Sequence, residues 1–195
     1  MTEQHNSYLE NDFTTDGNNI DAKSQLDAQA PDVEVQTEEV AQRQRQITAK
    51  IHIPHSVEQA WQVLTDYEAL ADFIPNLAKS RRLDHPTGGI RLEQVGTQRL
   101  LRLNFSARVI LDLEEKFPHA IHFNMVEGDF KDFSGKWLLE PCSQRGQVGT
   151  NLCYTVRVWP KLTMPVGIIE RRLSTDMRLN LLAIRRRVEE LFGTT

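Results

Sequence analysis

The feature that most constrains the fold is a long apolar stripe close to the C-terminal end of the chain. Apolar side chains recur every three or four residues from Val166 to Leu191, which predicts one continuous amphipathic helix. Pro160 and Pro165 precede the stripe and Gly193 follows it, as expected at helix boundaries. Such a helix is roughly 40 Å long at about 1.5 Å per residue. It is long enough to lie across one whole face of a β-sheet.

The residues before this helix show the alternation of apolar and polar side chains that is typical of β-strands. The first run is 47–53, and the two short helical segments after it begin at Ser56, which has the spacing of a capping box with Gln59. Six more alternating runs follow, separated by short turn sequences such as Gly96-Thr97, which predicts a two-residue hairpin loop. Connections this short favour antiparallel neighbours. We therefore expect an α+β fold, in which a curved antiparallel sheet of about seven strands wraps around the C-terminal helix and two short helices follow the first strand.

The N-terminal segment differs in composition from the rest of the chain. It is rich in Asn, Asp, Gln, Glu and Thr and poor in large apolar side chains, which predicts a disordered acidic tail over residues 1–45. Residues 1–46 carry a net charge of −7 and the remaining residues +3, which gives −4 for the whole chain. The predicted folded domain is therefore 46–193.

Targeting and metal-binding signals are missing from the sequence. The N-terminus has neither the basic start nor the apolar run of a signal peptide, and no apolar stretch is long enough to span a bilayer. Cys142 and Cys153 have no metal-ligand or disulfide spacing, which is typical of reduced thiols, and the histidines show no ligand spacing. We expect a cytoplasmic protein that has no metal and no cofactor.

Several segments together resemble the START-like, helix-grip superfamily, in its polyketide cyclase/dehydrase and coenzyme-Q-binding branch. The resemblance covers about residues 47–192 and implies a cavity, between sheet and helix, for hydrophobic molecules such as lipids, quinones or polyketides. The segments are IPHSVEQAWQVLTDYEALADFIPNL (53–77), RLEQVG (91–96), VILDLEEKFP (109–118), VEGDFKDFSGKW (126–137) and the two-proline segment 160–165.

We expect the domain to bind, and to carry or present, a small hydrophobic ligand such as a quinone, an isoprenoid or another lipid. Inward-facing apolar and aromatic side chains of the sheet, the helix stripe and two apolar loops form the predicted cavity wall. Trp137→Ala or Met177→Asp should then lower ligand retention without unfolding the domain. The predicted ligand-binding residues are Trp61, Phe73, Pro75, Phe105, Val109, Phe123, Phe130, Phe133, Trp137, Tyr154, Met164, Ile169, Leu173 and Met177.

The stretch 126–137 suggests an enzymatic alternative. In a regular strand, Glu127 and Asp129 would continue the inward row, and carboxyl groups in an apolar cavity suit acid–base catalysis because burial raises their pKa. The protein would then be a cyclase or dehydratase that acts on a polyketide-like substrate. A β-bulge at Gly128 would instead turn both carboxylates to water and Phe130 inward. We favour the bulge, because glycine within a strand often marks one.

Two further features bear on binding partners. Loops 73–77 and 162–166 are apolar, and Arg171, Arg178 and Arg185 form a basic row on the helix. One interpretation is peripheral membrane contact through these loops and this basic face. The other is that the loops pack at the edge of the core and that the arginines are solvated. The chain is net acidic and has no aromatic-basic platform, which argues against nucleic-acid binding.

Overall fold

The computed structural model describes residues 32–100, 103–144 and 146–193. The strands in these residues are β1 (Glu34–Ala41), β2 (Gln44–Ile53), β3 (Leu77–Leu83), β4 (Ile90–Leu100), β5 (Leu103–Lys116), β6 (Ala120–Gly128), β7 (Asp132–Gln144) and β8 (Gln147–Trp159). The helices are α1 (Val57–Thr65), α2 (Leu70–Phe73) and α3 (Val166–Phe192). The strands form one antiparallel sheet in the order β1-β2-β8-β7-β6-β5-β4-β3. The expected α+β helix-grip architecture is confirmed, with eight strands in place of about seven.

The additional strand lies in the segment that we expected to be disordered. β1 pairs with β2 from Glu34 to Ala41, so the expectation of disorder over residues 1–45 is wrong for this part. Most side chains of β1 are exposed, because it is an edge strand that is held through its main chain. Arg178 of α3 also donates a hydrogen bond of 2.9 Å to the carbonyl oxygen of Val33. Residues 1–31 of the predicted tail lie outside the described residues.

The helices begin and end where their capping residues predict. The Ser56 hydroxyl accepts a hydrogen bond from the Gln59 amide at 3.4 Å, and the Gln59 side chain accepts one from the Ser56 amide at 3.1 Å. α3 follows Pro165 and ends at Phe192, and the next residue, Gly193, has a φ of 91° that favours glycine. Its stripe packs against the sheet and α1. The fully buried members of the stripe are Ile169, Met177, Leu181, Ile184 and Val188.

The predicted hairpin loop at Gly96-Thr97 is wrong. β4 continues beyond it, and Gly96 pairs with Ala107 within the β4–β5 ladder. The Thr97 amide donates to the carbonyl oxygen of Asn76 at 2.8 Å, so this part of β4 is also tied to the loop before β3. β4 ends at Leu100 and β5 begins at Leu103, and residues 101–102 are outside the described part of the chain.

β6 contains the expected bulge, but at a different residue. Leu111 pairs with Met125 and Ile110 pairs with Glu127, which leaves Val126 as the extra residue in place of Gly128. One extra residue shifts the alternation of side chains by one position. Glu127 therefore lies on the outer face of the sheet.

Candidate functional site

A cavity of about 220 Å³ lies between the sheet and α3. Inner side chains of β4 to β8 form one side of it, and residues 169–184 of α3 form the other. The end of α1 and the loop before β3 complete the wall. The space exists because a twisted sheet cannot touch a straight helix along its whole length.

The sheet side of the cavity is an aromatic wall, made of Phe123, Phe133, Trp137 and Tyr154. Trp137 and Tyr154 are opposite each other on β7 and β8, and their rings are stacked with centroids 3.6 Å apart. Phe123 lies 5.8 Å from Phe133 and 6.1 Å from Tyr154. Gly135, between Phe133 and Trp137, leaves room for the Phe123 ring rather than for a ligand, since a Cβ atom there would be 2.5 Å from Phe123 Cζ.

The helix side of the cavity carries a polar row, made of Arg172, Asp176 and Asn180. These residues are four apart, so they share one face of α3 beside the apolar stripe. Asn76 donates a hydrogen bond of 3.0 Å from Nδ2 to Asp176 Oδ1. Asn180 Oδ1 is buried and has no hydrogen-bond partner among the described residues. The cavity is therefore amphipathic, although most of its lining is apolar.

Two tyrosines line the cavity, and both have a raised pKa. For Tyr154 the first cause is burial and the second is the charge of Asp176. For Tyr67 the first cause is burial and the second is the hydrogen bond of 2.6 Å that its hydroxyl donates to Glu115. Both phenols are therefore neutral over the physiological pH range.

The structure brings most of the predicted ligand-binding residues together. Phe105 lies among the residues whose side chains the structure does not describe. The predicted residues that line the cavity are Pro75, Val109, Phe123, Phe130, Phe133, Trp137, Tyr154, Ile169 and Leu173.

Four predicted residues lie elsewhere in the fold. Trp61 is buried and its ring meets Phe117 edge-on at 5.4 Å. Met177 is 1 % exposed and belongs to the solid core, so Met177→Asp would test folding rather than ligand retention. Phe73 and Met164 are partly buried against the outside of this core. Periodicity predicts Trp61 and Met177, and apolar loops predict Phe73 and Met164. Neither signal distinguishes the wall of a cavity from the filled core.

The structure places Glu127 and Asp129 outside the cavity. Glu127 Oε1 is 2.6 Å from Arg108 Nη1, and its side chain is 66 % exposed. Asp129 Oδ2 accepts a hydrogen bond of 2.7 Å from the Arg108 amide. Phe130 is buried and lines the cavity, as the bulge predicts. The acid–base role that we considered for Glu127 and Asp129 is therefore contradicted.

A charged network covers the outer face behind the cavity, and Glu93 is at its centre. The carboxylate of Glu93 is 2.7 Å from Lys79 Nζ, from Arg81 Nε and from Arg108 Nε. The hydrogen bonds from Lys79 and then Arg108 lower the pKa of Glu93 from 4.5 to about 2. Glu93 is thus a carboxylate that is held by cations on the face opposite the ligand cavity.

The basic row on α3 is less available than the sequence suggests. Arg178 contacts Val33, and Arg185 donates to Glu189 at 2.8 Å and to the carbonyl oxygen of His52 at 3.2 Å. These bonds join α3 to Val33, next to β1, and to β2. Arg178 is nevertheless exposed, as Arg171 is. Arg172 lines the cavity.

Within the described residues, no three His, Cys, Asp or Glu side chains are placed to hold a metal ion. In the same part of the chain, none of the helices combines the length and apolar character that crossing a membrane requires.

Comparison with known proteins agrees with the fold. A family model described as polyketide cyclase / dehydrase and lipid transport matches residues 53–182. The chain belongs to this family. The matched segment includes α1, the strands from β3 to β8 and the polar row of α3.

Curated relatives and solved structures extend the comparison. The ribosome association toxin RatA of Escherichia coli is 28 % identical over 99 residues, which are 51 % of this chain and 60 % of RatA. The match therefore spans about 60 % of the length of this curated relative.

Among solved structures, a START superfamily protein from Mycobacterium smegmatis has a TM-score of 0.62 and 18 % identity, and the alignment covers 75 % of this chain and 98 % of that one. The ZhuI aromatase/cyclase of a Streptomyces species has a TM-score of 0.60 and 16 % identity, with 75 % and 94 % covered. At these identities the likeness shows the fold alone.

Proposed function

We propose that this protein binds a small, largely apolar molecule in the cavity between the sheet and α3, and carries or presents it. A quinone, an isoprenoid or another lipid is the class of ligand that we favour. The observation that carries the proposal is the cavity itself, about 220 Å³ in volume and lined by aromatic and aliphatic side chains. Membership of a family described by lipid transport supports it.

The affinity would come mainly from removing apolar surface from water. This contributes about 25 cal/mol for each Å² that is buried, before the cost of ordering the ligand is subtracted. The aromatic wall offers rigid surface with little side-chain entropy to lose. The ligand therefore needs an apolar body that is small enough for the cavity and that carries no net charge where it contacts the aromatic wall.

The first experiment identifies the natural ligand. The full chain is purified under native conditions and extracted with organic solvent, and the extract is analysed by mass spectrometry. We expect one apolar compound in stoichiometric amount. An extract with no such compound, together with no uptake of added quinones or isoprenoids, would contradict the proposal.

The second experiment tests the wall with Trp137→Ala. We expect binding of the ligand to weaken about tenfold, since stacked aromatic contact is lost in addition to buried area. The matched control is Trp159→Ala, because Trp159 lies outside the cavity lining and its ring sits 4.9 Å from Lys131 Nζ. Titration calorimetry measures both variants. Equal affinities in the two would contradict the proposed site.

The enzymatic alternative was based on two carboxylates that lie outside the cavity. A cyclase or dehydratase would have to use Asp176 and Tyr154, which are inside the cavity, instead of Glu127 and Asp129. Tyr154 remains protonated because its pKa is raised, so it is suited to donate a proton but not to remove one. We therefore propose binding rather than catalysis.

A second candidate function is association with ribosomes. It is favoured by the 28 % identity to RatA, which is described as a ribosome association toxin. Sedimentation of cell extract through a sucrose gradient tests it. Co-migration of the full chain with ribosomal particles at physiological salt supports this function, and recovery only in the top fractions excludes it.

Membrane contact is a separate proposal, and it rests on the loop before α3 together with the first turn of α3. Leu162 is 74 % exposed and Ile168 is 46 % exposed, close in sequence to Ile169 of the cavity wall. We expect the full chain to bind anionic vesicles. We expect Leu162→Ser to weaken this binding. Phe117→Ser is the control, since Phe117 is 68 % exposed and packs on Trp61 instead. Equal loss in both variants would contradict a specific membrane surface.

A further inference from the structure

Gln94 is a polar side chain on the inner, cavity-facing side of β4. Leu92, Gln94 and Gly96 all line the cavity, whereas Glu93 belongs to the charged network on the outer face. Gln94 pairs with Val109 of β5, which also lines the cavity. An amide in this apolar part of the wall costs free energy unless it forms hydrogen bonds. Its bonds therefore decide what it can offer a ligand.

Ser80 fixes the orientation of the Gln94 amide. The Ser80 hydroxyl donates its single hydrogen to the main-chain carbonyl oxygen of Tyr67 at 2.6 Å, so towards Gln94 it can only accept. The Gln94 atom 3.3 Å from Ser80 Oγ is accordingly Nε2, the donor of the amide. The opposite orientation would place two acceptors against each other. Oε1 is therefore the amide atom that is directed away from Ser80.

Oε1 of Gln94 is free to bind a group that enters the cavity. No described residue donates a hydrogen bond to it. The buried side-chain atoms that have no partner in the same part of the chain belong to Arg43, His55 and Asn180, so Gln94 Oε1 is accessible rather than buried. Nε2 also carries a second hydrogen that the bond to Ser80 does not use. The amide thus presents one acceptor and one donor on the cavity wall.

We propose that Gln94 binds an uncharged oxygen group at one end of the ligand, while the apolar body of the ligand lies along the rest of the lining. A hydroxyl can donate to Oε1 and a carbonyl can accept from Nε2, so the ligand is an alcohol, a phenol or a ketone rather than a hydrocarbon. Neither Gln94 nor Ser80 carries a charge that could compensate a charged group there. Gln94 is then a specificity-determining residue. This inference rests on the proposed binding function and narrows the class of ligand.

Two probes with the same ring system test it on the full chain at neutral pH. Naphthol carries a hydroxyl group and naphthalene carries no polar group. Their affinities are measured by calorimetry or by ligand fluorescence, for the wild type and for Gln94→Met, which has nearly the same size and no amide. We expect the preference for naphthol over naphthalene to be about fivefold larger in the wild type, which is the effect of one net hydrogen bond. Comparing one pair of probes in both proteins cancels their difference in hydrophobicity.

Gln94→Leu is a second variant with the same expected loss of preference. The matched control is Leu173→Ala, which truncates an apolar side chain on the helix side of the same cavity. It should weaken both probes by a similar factor and keep the preference of the wild type. Thermal melting shows that each variant is folded.

The outcomes separate this inference from the proposed function. If the wild type and both Gln94 variants show the same preference, water pairs with the amide and the inference is wrong, while the binding function stands. If Leu173→Ala lowers the preference as much as the Gln94 variants do, the assignment to Gln94 is wrong. If neither probe binds to the wild type, the proposed apolar cavity is contradicted, and the inference with it. A preference that falls in both Gln94 variants and is kept in the control supports the inference.

Discussion

The inner and outer faces of the sheet differ in what stabilises them. On the inner face, Phe123 fills the space over Gly135 and contacts neighbouring rings, so stability there depends on shape. On the outer face, Glu93 is surrounded by Lys79 and two arginines, so stability there depends on charge. The difference shows why Glu127 and Asp129 do not line the cavity. The single extra residue in β6 assigns them to the charged face rather than to the apolar one.

The largest expected effect is on the inner face, in Phe123→Ala. Phe123 is 4 % exposed and contacts Phe133 and Tyr154, so its loss leaves a hole beside the cavity. We expect the free energy of unfolding to fall by about 3–5 kcal/mol. Urea denaturation measures it. A loss below about 1 kcal/mol would mean that this face is not held by packing.

Gly135→Ala should have the next largest effect. The added methyl group would meet the Thr155 carbonyl oxygen and the Phe123 ring, and the main-chain oxygen cannot move aside easily. We expect a loss of about 1–3 kcal/mol from overpacking. The control is Gly167→Ala, because a Cβ there has no neighbour within 4 Å. Equal melting temperatures for the two variants would contradict the packing of Phe123 over Gly135.

The outer face should respond to pH instead. The pKa of Glu93 is lowered to about 2, so its contribution to stability is fully present above about pH 4.5 and is lost as the pH falls towards 2. Glu93→Gln should remove this part of the acid dependence, so that the variant and the wild type converge in stability at low pH. Melting curves between pH 7 and pH 2 test it. A constant difference across this range would contradict the role of charge at Glu93.

The smallest expected effect is that of Glu127→Gln. The side chain is 66 % exposed, and exposed ion pairs such as the one with Arg108 contribute at most about 0.5–1 kcal/mol. Ligand binding should not change, since Glu127 lies outside the cavity. Calorimetry with any bound probe checks this. A marked loss of binding would mean that Glu127 contributes to the ligand site, contrary to this prediction.

The sequence predicts the inner face well and the rest less completely. Alternation in the strands and the stripe on α3 identify most of the apolar wall, because burial on one face imposes a period on the sequence. Apolar periodicity does not reveal β1, since the side chains of β1 are mostly exposed and its pairing uses the main chain. It does not reveal the polar row either. Arg172 looks like a surface arginine from its spacing, and only the depth of the cavity shows that it lines a wall.

The pairing of β2 with β8 has a consequence for how the domain is made. β2 ends at Ile53 and its partner begins at Gln147, so a ribosome that adds about 5–20 residues per second needs several seconds to complete the partner strand. During this interval Ile47 and Ile51 of β2 lack their partners in β8 and the cover of α3. A nascent chain released before β8 emerges should therefore be sensitive to proteases and bind chaperones, and the domain should become resistant only when synthesis is nearly finished.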